Sequence, residues 1–210
     1  MRIAIIGAGM VGATLGRKWA RKGHSVTFGT RRGEAEPLAD LLAQAGPTAK
    51  VASVAEAAKE NDVILMAVRW EGIEQAIIDC ESVAGKILID PSLPLLKDFS
   101  GLSAGTTTSG GEIVAQWARG AKVVKAFNHM GAEIMADPAF GDTKAAAFYC
   151  GDDPDARATV GSLIADLGFD PVDAGPLRMA RFTEPLGFLW VSLAHARGLG
   201  RGIAFELVRR

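Results

Sequence analysis

The 210-residue sequence lacks the residue patterns typical of disulfide-stabilised proteins and metal-binding proteins. It also lacks those of enzymes that use a catalytic tyrosine or a catalytic triad. Its two cysteines, Cys80 and Cys150, fit no metal or redox motif and are predicted to be free thiols in a reducing compartment. Its single tyrosine, Tyr149, has no lysine four positions later, which excludes a Tyr-x-x-x-Lys carbonyl reductase. The three histidines form neither a catalytic triad nor a metal-ligand spacing, so no metal site is predicted.

The sequence also lacks an excess of either charge and any long apolar run. It has 23 Lys and Arg against 24 Asp and Glu, a balance that does not favour binding nucleic acid through bulk electrostatics. The apolar run from Leu186 to Ala194 is too short to cross a bilayer. Residues 1–12 are better explained as a strand than as a signal peptide. We therefore expect a cytoplasmic protein that binds neither nucleic acid nor a membrane.

What the sequence does contain is a glycine-rich turn close to its beginning. Gly7, Gly9 and Gly12 match the pattern G-x-G-x-x-G directly after an apolar run. Gly7 permits a tight turn, Gly9 lets a pyrophosphate approach the backbone, and Gly12 lets the next helix pack close to the sheet. Met10 and Val11 open that helix, whose N-terminus offers free N–H groups to an anion. The segment predicts a dinucleotide-binding cradle; the alternative is a glycine turn without a ligand.

The second apolar run ends in a basic sequence where NAD-binding proteins usually carry an acidic residue. Here stand Thr30, Arg31 and Arg32. Guanidinium groups can clasp a ribose 2′-phosphate through charge-assisted hydrogen bonds, and the threonine hydroxyl can add a donor. The segment therefore predicts NADP as the cofactor, although two solvated arginines are an alternative. If Glu34 or Glu36 folded back onto the ribose, the preference between NADP and NAD would weaken.

Strand-like and helix-like segments alternate along nearly the whole chain. This alternation predicts an α/β fold, namely a doubly wound, mostly parallel Rossmann sheet with helices on both faces. Residues 1–150 are predicted to form the NADP-binding Rossmann domain and residues 151–210 a short C-terminal α/β extension, unless both form one continuous domain. The extension should contain a helix capped by Asp153 and a long apolar helix over Arg178–Ala196, serving as core or as a dimer interface.

Segments spread over the chain resemble a known family. They are GAGMVG, GTRR, AVRWEGIEQAI, ILIDPSLPL, VVKAFNHMGAEIM, FYCGDDPDAR and PVDAGPLRMARFTEPL. In these segments and their order the chain is similar to the NADP oxidoreductases that work with the deazaflavin coenzyme F420. It is also similar to the related cytosolic NADPH domains of the STEAP metalloreductases. One position departs from the deazaflavin enzymes, which have a histidine where this chain has Asn128; KAFN is closer to the metalloreductase domains, which reduce a flavin.

The resemblance implies a nucleotide over the C-terminal ends of the strands, with its nicotinamide in a cleft. The flat ring of a small-molecule electron acceptor would stack there, held partly by residues 151–210, and the protein would be a homodimer. Carried over by position, three sets of residues would form this site: Ala67, Val68 and Arg69 at the ribose and pyrophosphate, Pro91 and Ser92 at the nicotinamide, and Asn128, His129 and Met130 where the two rings meet.

The function predicted is hydride transfer between NADP(H) and a flavin or deazaflavin, which would be a co-substrate. Such a transfer needs aligned rings and excluded water more than an acid or base, so no side chain is assigned an acid–base role. Lys125 and Asn128 share the spacing of the Lys-x-x-Asn pair of hydroxyacid dehydrogenases, but they leave a strand rather than lie on a helix. His129 could equally be a loop histidine bonded to backbone, and Trp70 and Trp190 are expected to pack rather than stack on a ligand.

Two other functions remain open at this point. The first is reduction of a small imine or oxo-acid by NADPH, although about 60 residues after Gly151 are few for the helical domain that such enzymes usually add. The second is a non-enzymatic NADP(H)-binding redox sensor.

Overall fold

A computed structural model describes residues 1–31 and 38–210. Residues 32–37, which include Arg32, Glu34 and Glu36, lie outside the described residues. The strands are β1 (Arg2–Ile6), β2 (Ser25–Thr30), β3 (Ala49–Ser53), β4 (Val63–Met66), β5 (Ile87–Asp90), β6 (Lys122–Ala126), β7 (Ala139–Phe140), β8 (Thr143–Lys144), β9 (Ala146–Gly151) and β10 (Asp170–Asp173). The α-helices are α1 (Met10–Arg21), α2 (Ala39–Ala45), α3 (Val54–Glu60), α4 (Ile73–Asp79), α5 (Gly110–Trp117), α6 (Ala132–Ala136), α7 (Pro154–Asp166) and α8 (Ala180–Val191).

Eight of these strands form one twisted sheet in the order β10-β9-β6-β5-β4-β1-β2-β3. All neighbours pair in parallel except β6 and β9, which are antiparallel. The order 3-2-1-4-5-6 within it is that of a dinucleotide-binding sheet, whose strand order reverses between β1 and β4. The predicted fold class is therefore confirmed, and β9 and β10 extend the same sheet. Ligands of such sheets bind outside the carboxyl ends of the strands at this reversal.

Alternate residues of the central strands supply two separate cores. Ile3 and Ile5 of β1 face a core that includes α1 and α7, whereas Ala4 and Ile6 face one that includes α3 and α4. The strands are apolar in nearly every position because both faces of a parallel sheet are covered by helices. Leu15 and Trp19 of α1 lie one helical turn apart and are both fully buried, so this face of the helix packs against the sheet.

Helices α3 and α7 each begin after a residue whose side chain caps the first turn. Ser53 accepts the Glu56 N–H while the Glu56 carboxylate accepts the Ser53 N–H, which makes a capping box at α3. Asp153 accepts the Ala156 N–H at 2.8 Å with Pro154 in the first turn, as predicted for α7.

The expected long helix over Arg178–Ala196 is divided. A 3₁₀ turn over Leu177–Met179 precedes α8, and a π-helical turn over Ser192–Ala196 follows it. Pro185 lies inside α8, where its ring nitrogen donates no hydrogen bond. Helix α6 and the hairpin of β7 and β8 had no counterpart in the sequence-based prediction. Over residues 1–31 and 38–210, none of the helices combines the length and hydropathy that a bilayer-crossing segment requires.

Candidate functional site

The glycine-rich turn between β1 and α1 has the geometry of a cradle. Gly7 has φ +99°, and a Cβ there would lie 2.5 Å from the Ala67 carbonyl oxygen. A Cβ on Gly12 would collide with the Gly7 carbonyl oxygen. Gly9 differs, because a Cβ on it would meet nothing within 4 Å. The first and third glycines are thus required by packing, whereas Gly9 faces open space at the N-terminus of α1.

A cavity of about 440 Å³ lies on one side of this turn. Its lining includes four residues of the predicted NADP site, namely Gly7, Thr30, Arg31 and Val68. The Thr30 hydroxyl is buried and has no hydrogen-bond partner among the described residues. Gln75 and Asp79, which sequence reasoning did not select, also line this cavity, and Gln75 Nε2 donates to Asp79 Oδ1 at 2.8 Å. The predicted partner Arg32 belongs to the segment outside the described residues.

A second cavity, of about 550 Å³, lies on the other side of the turn. Many of the predicted site residues line it, namely Val11, Val68, Arg69, Pro91, Ser92, Asn128 and Met130. Its remaining wall includes Trp70, Met135 and Trp190 together with the loop Leu93–Phe99. Val68, two residues beyond the carboxyl end of β4, lines both cavities, so they meet at the reversal of strand order.

Two residues that line this second cavity each carry a buried polar atom without a partner in the described part of the chain. Ser92 Oγ and Asn128 Oδ1 have no hydrogen-bond partner among the described residues. The Asn128 amide is held in place, since its Nδ2 donates to the Thr183 carbonyl of α8 at 2.7 Å. A buried polar atom without a partner costs free energy, so this arrangement indicates a site that a polar ligand completes.

His129 lies apart from both cavities. Its ring packs against Phe148, with 5.3 Å between ring centroids, and its Nε2 lies 3.2 Å from the Ala146 carbonyl. Burial lowers the pKa of His129 to about 4, although the Ala146 hydrogen bond opposes this. The imidazole is therefore neutral at pH 7 and contacts backbone, the alternative that the sequence had left open. Met10 is exposed beyond the cavity walls.

The tryptophans both pack and line the cavity. Trp70 packs on Trp117, with 5.3 Å between ring centroids. Trp190 is buried and its Nε1 donates to the Ile203 carbonyl at 2.7 Å, which fixes the C-terminal segment beside the cavity. His195 meets the edge of Trp190.

A third, largely apolar cavity of about 670 Å³ adjoins the second. Leu95, Phe99 and Val191 line both of them. The π-helical turn contributes Ser192 and His195 to its wall.

Sequence reasoning missed a buried ionic cluster beneath the second cavity. Lys125 Nζ lies 2.9 Å from Asp90 Oδ2 and 2.9 Å from Glu184 Oε1. The available signal was Lys125, which directly follows two valines within a predicted buried strand, because a buried ammonium requires carboxylate partners. Those partners come from other elements, so the sequence alone did not identify them.

Comparison with known proteins identifies the family. Residues 2–94 match the family described as NADP oxidoreductase, coenzyme F420-dependent. Metalloreductase STEAP3 of Rattus norvegicus is 31% identical over 186 residues, which are 88% of this chain and 36% of that protein. The chain thus spans about a third of the length of this curated relative.

Solved structures extend the comparison over the full chain. A candidate F420-dependent NADP reductase from Arthrobacter sp. FB24 superposes with a TM-score of 0.87 at 34% identity, covering 100% of both chains. A reductive aminase from Aspergillus terreus in complex with NADPH and ethyl levulinate reaches 0.67 at 20% identity, covering 94% of this chain and 62% of the other, a likeness of fold alone. The chain therefore belongs to the coenzyme F420-dependent NADP oxidoreductase family.

Proposed function

We propose that the protein is an NADPH-dependent oxidoreductase that exchanges hydride between NADP(H) and a flavin or deazaflavin ring. The observation that carries the proposal is the pair of cavities joined at Val68. Each of them contains buried polar atoms without partners among the described residues: Thr30 Oγ1 in one, Ser92 Oγ and Asn128 Oδ1 in the other.

Each part of a dinucleotide has a matching feature in the site. The open face of Gly9 and the N-terminus of α1 suit the pyrophosphate, because the free amides attract an anion and no side chain intervenes. Thr30 and Arg31, together with Arg32 by sequence, suit the 2′-phosphate. Ser92 Oγ can donate to the carbonyl of the nicotinamide carboxamide, and Asn128 Oδ1 can accept from its amide.

The bound nicotinamide supplies the hydride chemistry. The residues of this chain orient the rings and exclude water from the second cavity. Met130, Met135 and Trp190 give that cavity a buried apolar wall, and Trp190 is itself held by the C-terminal segment. Alignment of this kind contributes up to ~7–11 kcal/mol to the lowering of a barrier. His129 is neutral and turned away, so it supplies no proton to this cavity at pH 7.

The proposal is tested by following the absorbance of reduced nicotinamide when the purified protein is mixed with NADPH under anaerobic conditions. Separate reactions contain FMN, riboflavin, a deazaflavin, a cyclic imine or a 2-oxo acid, and one contains no acceptor. We expect oxidation of NADPH with at least one flavin or deazaflavin and none with the imine or the oxo-acid.

The same reactions decide between the alternatives. Turnover of an imine or oxo-acid without any ring acceptor would support the small-molecule reductase. Tight binding of NADP and NADPH by calorimetry, with no oxidation by any acceptor, would support the redox sensor instead.

We also propose that the protein is a homodimer that associates through α8. Phe182 and Leu189 of this helix are 67% and 48% exposed, and their spacing of seven residues places both on one face of the helix. Light scattering on the eluting protein would give the mass directly. A monomeric mass at micromolar concentration would contradict the proposal.

A further inference from the structure

The ionic cluster of Lys125, Asp90 and Glu184 is sealed from solvent. The side chains of Lys125 and Asp90 are 0% exposed and that of Glu184 is 1% exposed. Each comes from a different element: β6, the end of β5 and the middle of α8. Burying three charges carries a large desolvation cost, so stability alone does not account for such a cluster.

The hydrogen bonds show which groups carry charge. Burial disfavours the Lys125 ammonium, but the two carboxylates outweigh this and raise the pKa of Lys125. The Asp90 carboxylate also accepts the Ser92 N–H at 2.9 Å. The Glu184 carboxylate also accepts the N–H groups of Gly110 and Gly111, each at 2.8 Å. Every one of these partners is a donor, so both carboxylates act only as acceptors, and two carboxylates against one ammonium leave the cluster with one net negative charge.

The cluster is connected to two residues that line the second cavity, Ser92 and Asn128. Asp90 fixes the backbone of Ser92, whose hydroxyl is one of the two unpartnered atoms in that cavity. Glu184 follows Thr183, whose carbonyl holds the Asn128 amide. Helix α8 approaches closely there, since a Cβ on Gly187 would lie 2.5 Å from the Asn128 carbonyl oxygen. Because the three side chains of the cluster are almost completely buried, solvent screens their charge only weakly.

We propose that the net negative charge of this cluster favours the oxidised cofactor, with Asp90 and Glu184 as specificity-determining residues for the redox form. The inference rests on the proposed function, which places a nicotinamide ring in the second cavity. That ring is a cation in NADP⁺ and neutral in NADPH. A fixed negative charge next to residues that line this cavity therefore stabilises bound NADP⁺ relative to bound NADPH, and it favours release of hydride over its uptake.

The test measures dissociation constants by calorimetry for NADP⁺, NADPH and adenosine 2′,5′-bisphosphate, which lacks the nicotinamide. The variant E184Q removes one charge with little change in size. We expect the dissociation constant for NADP⁺, divided by that for NADPH, to rise about 6- to 16-fold, as for a unit charge roughly 10–15 Å from the ring at an effective dielectric constant of about 20. Affinity for the bisphosphate should stay at its wild-type value.

The matched control is E112Q. Glu112 lies on α5 beside Gly111 and pairs with Arg181, but this pair is partly exposed, so solvent screens its charge. The ratio should stay within two-fold of wild type in this variant. If E184Q does not fold, D90N provides the same removal of charge, since an asparagine oxygen can still accept the Ser92 N–H.

The outcomes separate the inference from the proposed function. Equal weakening of NADP⁺, NADPH and the bisphosphate in E184Q or D90N would show a purely structural cluster and overturn the inference. An unchanged ratio in a folded variant would overturn it as well. Failure of the wild-type protein to bind either form of the cofactor would instead overturn the proposed function.

Discussion

Asn128 Nδ2 donates to the Thr183 carbonyl at 2.7 Å, and the same side chain leaves its Oδ1 unpartnered at the wall of the second cavity, within the described part of the chain. One amide therefore links helix α8 to the cavity and presents an oriented acceptor. Replacing it with alanine removes both functions. We expect N128A to raise the dissociation constant for NADPH about five- to ten-fold, the effect of losing one hydrogen bond.

The measurement is calorimetry with NADPH, with S162A as the control, because Ser162 bonds only within α7. If N128A bound NADPH as tightly as wild type, Asn128 would not be the partner of the nicotinamide carboxamide.

Because Gly9 faces open space, replacing it with alanine should weaken NADPH binding while leaving the stability of the fold nearly unchanged. G9A adds a methyl group where nothing lies within 4 Å, so the melting temperature should change by no more than about 2 °C. The methyl group would occupy the space proposed for the pyrophosphate, so NADPH affinity should fall at least ten-fold. The control is G105A, which also places its methyl group in open space but away from the cradle. Wild-type affinity in G9A would show that the turn holds no ligand.

The arginines after β2 predict the choice between NADP and NAD. Arg31 is exposed beside the first cavity, and Arg32 follows it in sequence. The double variant R31A/R32A should lower the preference for NADPH over NADH by about 10²-fold, since two charge-assisted hydrogen bonds are lost. Steady-state or binding measurements with both nucleotides give the ratio, with the exposed and distant R119A as control. A preference that survives the double change would mean that other groups recognise the phosphate.

Replacing Lys125 should greatly lower the free energy of unfolding. K125M leaves Asp90 and Glu184 buried without their cation, which should lower the free energy of unfolding by about 3–5 kcal/mol. Lys50 pairs with Glu60 at 2.6 Å on the surface, and K50M should cost at most ~1 kcal/mol. Urea unfolding followed by circular dichroism gives both values. If K125M and K50M both lowered the free energy of unfolding by the same small amount, Asp90 and Glu184 would be accommodated in the core without their cation, through bound protons or water, at little cost.

Burial of His129 should make the protein less stable as the pH falls. Its pKa is about 4 in the folded protein because of burial, against an ordinary value of 6.5. The unfolded chain therefore binds the extra proton first as pH falls, and stability declines from about pH 6.5 down to pH 4 and then levels off for this group. Between pH 7 and pH 5 the loss should be about 2 kcal/mol.

Replacing His129 should remove its contribution to the stability lost as the pH falls. H129N should lose less stability than wild type between pH 7 and pH 5, measured as the difference in free energy of unfolding at the two values. The exposed His195 provides the control H195N, in which the full loss should persist. If the free energy of unfolding of H129N fell as much as that of wild type between pH 7 and pH 5, protonation of His129 would not contribute to the acid sensitivity.

The order of elements could be predicted because it depends on contiguous residues. An apolar run such as Ile3–Ile6, followed by glycines at fixed spacing, specifies a strand, a turn and a helix within one short stretch. Asp153 and Pro154 set the start of α7 in the same way. The division of the expected helix over Arg178–Ala196 was not predicted, because a π-helical turn is a response to packing as well as to local sequence.

The sequence by itself determined the parallel sheet, the glycine cradle and the position of the two arginines, because each is encoded by neighbours along the chain. Only the tertiary structure decided that Ser92 and Asn128 share one cavity, that His129 turns away from it, and that Asp90 and Glu184 meet at Lys125. These three outcomes depend on which elements pack together across the sheet. Burial then makes each unpartnered atom or uncompensated charge costly, which is a property of the folded core and not of any segment.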